Sequence, residues 1–197
     1  MKLYPDDKPV PELLEKKEYS ILPLKPLDNQ LDYDAVTASL DYYRKFHPCD
    51  WSATGFTLEE NLEELEKHDQ DHQERTAFTL SAQSPNRELS FGCIYINTMH
   101  GLLKWLKRPE DELKEVKDYE CQVYFWTRPE CMASGLDKEI LFGLSQWLEN
   151  DWLFSKVYYQ TYESDVRQVS IFKESGLKKW KTSSLPGGEG NVLIFTR

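Results

Sequence analysis

A stretch near the middle of the chain alternates between strand-like and helix-like segments. Residues 120–127, ECQVYFWT, and 157–162, VYYQTY, are short runs rich in aromatic and β-branched residues, which are typical of buried strands. Residues 134–149 carry apolar side chains at helical spacing, and residues 165–174 form a second helical segment that ends at Gly176. The order strand, helix, strand, helix predicts a domain of the α/β class.

The segments on either side complete the order of elements. Residues 19–24 read as a first strand, residues 32–46 as a helix closed by Pro48, and Thr57 with Glu60 as the capping box of a second helix. The other predicted strands are 76–82 and 89–97, which form a hairpin, and 177–182 and 192–195, which form a terminal hairpin after the PGGEG turn.

This order predicts a single domain over residues 19–197, preceded by a mobile or surface-draped N-terminal arm, residues 1–18. Residues 98–118 are an insertion between the first hairpin and the central strand. Their LLKWL core is amphipathic and could dock on a partner or cover a site, but Pro109 and the charged tail favour a mobile loop.

The composition excludes several classes of protein. The net charge of -10 and the pI near 5.0 disfavour nucleic-acid binding and membrane attachment, and they favour cationic partners such as amines. The N-terminal segment has no apolar core of a signal peptide, so we expect a cytoplasmic protein with reduced thiols. His68 and His72 would share a helix face, but no third ligand is identifiable, so we expect a solvated face and no metal site.

The element order resembles that of the GNAT N-acetyltransferase superfamily from Tyr19 to Thr196, as a divergent, bacterial-type member. The resemblance implies a central mixed, mostly antiparallel sheet, flanked by helices, with a splayed parallel pair of strands at 121–127 and 157–162. It also implies acetyl-CoA or another acyl-CoA as co-substrate, with pantetheine pairing to the backbone at Phe125, Trp126 and Thr127 as an added strand.

The loop before the helix at 134–149 is similar to the family's pyrophosphate-binding loop only in part. Ser134 and Gly135 keep the small residues that let an anion approach the helix N-terminus. Met132 replaces the expected basic or amide residue. Asp137 replaces a small residue and would repel a diphosphate, with Arg128 or Lys138 as compensating cations. Two readings stay open: an acyl-CoA site and a purely structural helix cap.

The segment DVRQVSIFKESGL is similar to the family's last helix, but Phe172 stands in place of a tyrosine that often protonates the departing thiolate. Phe172 has no exchangeable proton, so it is a candidate for packing against pantetheine and not for acid catalysis. Tyr162 is our candidate for the missing proton donor, with Tyr158, Tyr159 and Ser170 as alternatives, and the thiolate could also leave without a donor. Each of these aromatic residues also fits simple core packing.

The reaction that the resemblance implies is direct attack of a neutral amine on the thioester, which requires a proton acceptor. Glu163 and Glu120 lie near the ends of the two central strands and are our candidates, with Glu163 preferred. The acceptor amine is unidentified, and a homodimer is one possible assembly. The alternatives to an N-acyltransferase are a non-catalytic acyl-CoA-binding module and a protein-binding scaffold with the same fold.

Overall fold

The computed structural model describes residues 2–45 and 56–197. Within these ranges eight strands form one sheet in the order β1-β2-β3-β4-β5-β6-β8-β7. Neighbouring strands are antiparallel except β5 and β6, which run parallel, so the sheet is the mixed, mostly antiparallel one that was predicted. The strands are β1 Leu14–Glu15, β2 Ser20–Pro23, β3 Phe78–Gln83, β4 Ser90–Thr98, β5 Glu120–Thr127, β6 Lys156–Tyr162, β7 Lys178–Ser184 and β8 Asn191–Thr196.

Helices cover both faces of this sheet. Successive strand residues point to opposite faces, so Phe125 of β5 packs against the helices of one face and Trp126 against those of the other. The helices are α1 Asn29–Tyr43, α2 Leu58–Glu74, α3 Met99–Trp105, α4 Glu110–Glu115, α5 Pro129–Ser134, α6 Leu136–Asn150 and α7 Val166–Glu174. The core with Phe125 contains α6 and α7, whereas α1 and α2 pack around Trp126 and α3 and α4 around Tyr162.

The parallel strands β5 and β6 separate halfway along their length. Their register ends at Val123 opposite Tyr159. Beyond that point β5 stays paired with β4 as far as Thr127, and β6 stays paired with β8 as far as Tyr162. The two strands therefore diverge and leave a wedge between them, as the splayed pair was predicted to do.

Gly92 allows β4 to follow β5 up to this wedge. Its φ is +144°, and an added Cβ would lie 2.1 Å from the backbone oxygen of Trp126. A residue with a side chain would therefore force β4 away from the strand that borders the wedge.

The predicted loop at 98–118 was wrong, because this stretch folds into α3 and α4. Met99, Leu102 and Leu113 pack against β6 and β8, which is why the amphipathic pattern forms helix. Pro109 precedes the first turn of α4 instead of breaking the segment, a position where proline's missing N–H costs nothing.

The N-terminal residues are more buried than a mobile arm would be. Leu3 and Tyr4 are 2% and 1% exposed. The Tyr4 ring packs edge-on against Phe78 and Trp152, and β1 pairs with β2. Leu3 and Tyr4 therefore belong to the core on the side of the sheet that α6 and α7 cover. The domain boundary after residue 18 stays a prediction.

Two further predictions concern residues near position 48. Helix α1 ends at Tyr43 instead of residue 46, and Pro48 and Cys49 lie outside the described residues.

Three cysteines of the described residues, Cys93, Cys121 and Cys131, are free and buried. No helix in 2–45 and 56–197 is long and apolar enough to cross a membrane.

Candidate functional site

The free edge of β5 in the wedge is held by side chains from two helices. The Tyr43 hydroxyl of α1 accepts from the backbone N–H of Thr127 at 2.9 Å and donates to the Thr127 carbonyl at 2.8 Å. The Gln168 amide of α7 donates to the Phe125 carbonyl at 2.6 Å. Both backbone positions thus point into the wedge, where an added strand would pair.

We call this narrow space the β5 groove. It is lined by Tyr43, Phe125, Thr127, Met132, Asp137, Asp165, Arg167, Gln168 and Ile171. Burial raises the pKa of Tyr43 well above its usual value, so the phenol keeps the proton that it donates. The side-chain oxygen of Gln168 is buried and has no hydrogen-bond partner in the described part of the chain.

The start of α6 borders the groove. Gly135 adopts φ +84° between α5 and α6, a left-handed conformation that glycine favours, and an added Cβ would meet no atom within 4 Å. The first N–H groups of a helix have no acceptor within it, so the turn at Leu136 offers donors to an anion. Ser134 does not face this turn, since its hydroxyl donates back to the Glu130 carbonyl at 3.0 Å.

Asp137 is 2% exposed and paired with an arginine that the sequence analysis did not consider. Arg167 of α7 makes a bidentate contact with its carboxylate, at 2.8 Å from Nε and 2.7 Å from Nη2. Because the pair is neutral, Asp137 does not present an uncompensated charge to the groove.

The other two cations at this end are paired as well. Lys138 lies 2.7 Å from Glu174, and Arg128 lies 3.7 Å from Glu130. Neither of these expected compensating cations is therefore unpaired at the start of α6.

On the α1 and α2 side of the sheet, a larger hollow opens beside the wedge. This α2 cleft has a volume of about 680 Å³. Its floor comes from strands β4, β5 and β6 and its walls from α1 and α2. The polar and aromatic residues that line it are Asp32, Phe56, Glu60, Asn61, Glu63, Glu64, His68, Tyr95, Asn97, Gln122, Tyr124, Trp126, Gln160 and Tyr162.

Asp32 and His68 bring two titratable groups into the cleft. Asp32 is 4% exposed, and burial raises the pKa of its carboxyl, while Cys93 donates to it at 2.9 Å. Burial lowers the pKa of His68 from 6.5, although Glu64 and Asp32 oppose that shift. The pKa of each group therefore moves in the direction that favours its neutral form, as in acid–base sites.

An aromatic row crosses the cleft floor from α2 to β6. The His68 ring lies 5.7 Å from Tyr95, Tyr95 stacks on Tyr124 at 6.0 Å, and Tyr124 lies 6.3 Å from Tyr162. Tyr124 and Tyr162 belong to the two strands that separate. Tyr162 thus lies at the wedge and lines the cleft, and its role as the proton donor stays a prediction.

The two predicted carboxylates lie elsewhere. Glu163 is exposed beyond the end of β6, and its carboxylate accepts from Asn191 at 2.7 Å. Glu120 begins β5 opposite Lys156, at the paired end of the two strands and away from the wedge. Neither lines the α2 cleft or the β5 groove as described, and their catalytic roles stay predictions.

Phe172 is fully buried. Its ring packs against Phe125, Tyr159 and Phe195, at centroid distances of 6.1, 6.1 and 5.3 Å. The side chain therefore fills the core behind β5, and its suggested contact with pantetheine stays a prediction. Trp126 instead faces the α2 cleft, where its indole N–H donates to the Tyr95 hydroxyl at 3.4 Å.

Sequence reasoning missed Tyr43, Asp32, Gln168 and Arg167. Asp32 was detectable, because it falls one helical turn before Val36 on the buried face of α1.

The prediction that His68 and His72 share a solvated face was wrong, because His72 is 8% exposed and packs against Phe78. No group of three or more metal-ligating side chains is placed to hold an ion within 2–45 and 56–197.

No protein-family model and no curated protein matches the sequence. Solved structures do match. The ribosomal-protein-S5-alanine acetyltransferase of Vibrio fischeri is 11% identical, with a TM-score of 0.73, and the match covers 95% of this chain and 96% of that one.

Two other acetyltransferases are similar to a comparable extent. RimL, a ribosomal L7/L12 α-N-protein acetyltransferase in complex with coenzyme A, is 11% identical with a TM-score of 0.71, over 94% of this chain and 97% of that one. The microcin C7 self-immunity acetyltransferase MccE, in complex with acetyl-CoA and AMP, is 12% identical with a TM-score of 0.72, over 92% and 93%. The chain therefore has the GNAT acetyltransferase fold over nearly its whole length.

Proposed function

We propose that the protein is an N-acyltransferase that transfers an acyl group, in the simplest case acetyl, from CoA to a primary amine. The observation that supports it most is the wedge between β5 and β6, with Thr127 N–H and C=O directed into it and the α2 cleft open beside it. A free strand edge next to a hollow is the arrangement that an acyltransferase needs for its cofactor and its acceptor, and it supports the proposal.

The residues present fit an acyl-CoA in part. Phe125 and Thr127 offer backbone groups for pantetheine, and the first turn of α6 after Gly135 offers donors for the pyrophosphate. When bound, the cofactor supplies an activated acyl thioester. Tyr43 and Gln168 occupy the same backbone groups, so both side chains must move aside for pantetheine to pair there.

The chain's own contribution to transfer is orientation and proton removal. The amine nitrogen bonds to the acyl carbon as the carbon–sulfur bond breaks, and the amine must lose a proton while CoA leaves as its thiolate. Asp32 and His68 line the cleft and are the groups that we propose as acceptors of that proton. Glu163 and Glu120 are less suitable, because both lie outside it.

Acetyl-CoA binding, measured by calorimetry, tests this function. We expect micromolar binding to the unmodified protein and its loss in Gly135→Glu, whose carboxylate would lie at the start of α6. Gly135→Ala is the matched control, because it carries the same strain at φ +84° without the charge and should still bind. If neither acetyl-CoA nor a longer acyl-CoA binds, the proposal fails.

The second candidate is a non-catalytic binding protein with the same fold. Its support is the occupancy of the β5 groove by the side chains of Tyr43 and Gln168. Under this reading the α2 cleft still binds a ligand, but acyl-CoA does not bind even at millimolar concentration. The same calorimetry therefore separates the two functions.

A further inference from the structure

The α2 cleft is lined by several acidic side chains. Asp32, Glu60, Glu63 and Glu64 line it, and none of its lining residues in the described chain is a lysine or an arginine. Glu60 is engaged in the capping box with Thr57, whereas Glu63 and Glu64 are exposed at the rim. A hollow lined by one sign of charge concentrates ligands of the opposite sign.

The floor of the cleft adds a second, independent feature. Gln122 and Gln160 are 5% and 9% exposed, and the side-chain oxygen of each is buried with no hydrogen-bond partner among the described residues. Buried amide oxygens without a donor are uncommon in folded proteins, because leaving them unpaired costs free energy. An ammonium group, which carries only donors, matches them.

Aromatic rings share the cleft floor with the two glutamines. Tyr95, Tyr124 and Trp126 line the same cleft. Aromatic faces attract alkylammonium groups and also pack well against methylene chains. The cleft volume of about 680 Å³ lies in the range of sites for small molecules.

We propose that the α2 cleft binds a linear alkyl polyamine, with one ammonium group at the Gln122 and Gln160 floor and another near Glu63 and Glu64. The intervening methylene groups lie along the aromatic residues. That this polyamine is the acyl acceptor rests on the proposed acyltransferase function. That the cleft binds the polyamine does not depend on acyl transfer.

Calorimetry without acyl-CoA tests the binding, with spermidine as the probe and n-butylamine as a comparison that keeps a four-carbon chain but has one charge. We expect spermidine to bind at least about tenfold more tightly, since each additional exposed ion pair contributes modestly. Added salt should weaken spermidine binding more than butylamine binding.

Variants of α2 locate the site. Glu63→Gln combined with Glu64→Gln should weaken spermidine binding about tenfold. Glu66→Gln is the matched control, because Glu66 is exposed on the same helix but does not line the cleft, and it should bind as the unmodified protein does. Gln122→Leu should also weaken binding, and circular dichroism checks that this variant is folded.

A transfer assay with acetyl-CoA and spermidine separates this inference from the proposed function. Saturable binding that the rim variants weaken, without any transfer, supports the polyamine site and excludes spermidine as the acyl acceptor, whereas the acyl-CoA calorimetry tests the acyltransferase function separately. Transfer to another amine with no spermidine binding overturns the polyamine site and leaves the function standing. Binding that Glu66→Gln weakens as much as the rim variants also overturns it.

Discussion

His68 lies in the α2 cleft with an imidazole whose pKa burial lowers from 6.5. The neutral ring persists to a lower pH than in an exposed histidine, so it can accept a proton from an attacking amine across neutral pH. We predict that His68→Gln lowers kcat/KM for acyl transfer roughly a hundredfold, the order expected for a general base. The acid limb of the pH profile should lie below pH 6.5 and disappear in the variant.

The same histidine affects stability in a defined direction. Its folded-state pKa is depressed, so its contribution is fully present above the unfolded value of 6.5 and is lost as pH falls through that region. Titration of the ring by NMR, assigned with His68→Gln, measures the pKa directly. A midpoint at or above 6.5 would contradict the burial argument.

The residue scale is also where sequence reasoning was weakest. Asp32, a carboxylate on the buried face of a helix, was visible in the periodicity of α1. Tyr43 and Gln168 carried no such signal, because the backbone groups that they contact lie 84 and 43 residues away in the chain. Contacts of that separation arise from how strands and helices pack, which local patterns do not encode.

At the scale of elements, Tyr43 links α1 to the last residue of β5. We predict that Tyr43→Phe lowers the free energy of unfolding by about 2 kcal/mol, because it leaves the buried N–H and C=O of Thr127 without a partner. Urea denaturation followed by circular dichroism measures this loss. Tyr33→Phe, which removes a longer hydroxyl contact of 3.3 Å, is the control and should cost less.

Binding of acetyl-CoA should restore part of the free energy of unfolding that Tyr43→Phe loses. If pantetheine pairs with Thr127, Tyr43→Phe removes its competitor and acetyl-CoA should bind more tightly to the variant than to the unmodified protein. Equal affinity in both proteins would mean that Tyr43 does not compete for this strand edge.

Strand β5 itself was predicted with its observed bounds, since ECQVYFWT is buried on both faces and reads as one apolar run. Helices α3 and α4 were missed, because Pro109 and a run of charges resemble a loop until β6 and β8 supply an apolar surface for them. The strand was therefore predicted from its own composition, whereas the two helices were not, because their apolar residues show a purpose only against β6 and β8.

At the scale of the whole molecule, the N-terminal residues belong to the core. We predict that Tyr4→Ala destabilises the protein by about 3 kcal/mol, because it removes a buried ring that packs between Phe78 and Trp152. Thermal and urea denaturation give the value. Leu13→Ala, at a side chain that is 45% exposed, should change stability by no more than about 0.5 kcal/mol.

The element order was enough to predict the fold, and solved structures of only 11% identity confirm it. A shared architecture at such low identity is maintained by the pattern of buried positions, which many sequences satisfy. The fold does not determine an acceptor in the same way; under our proposal the acceptor depends on the few side chains that line the α2 cleft, and such side chains differ between proteins of one fold.

The paired contacts at Thr127 have one more consequence. Its amide proton is bound to a phenol oxygen from another element and not to a neighbouring strand. In a heteronuclear correlation spectrum, that single peak reports whether the strand edge is held by the protein or by a ligand carbonyl. Fragment libraries can therefore be screened for compounds that bind in the wedge before any substrate of the protein is known.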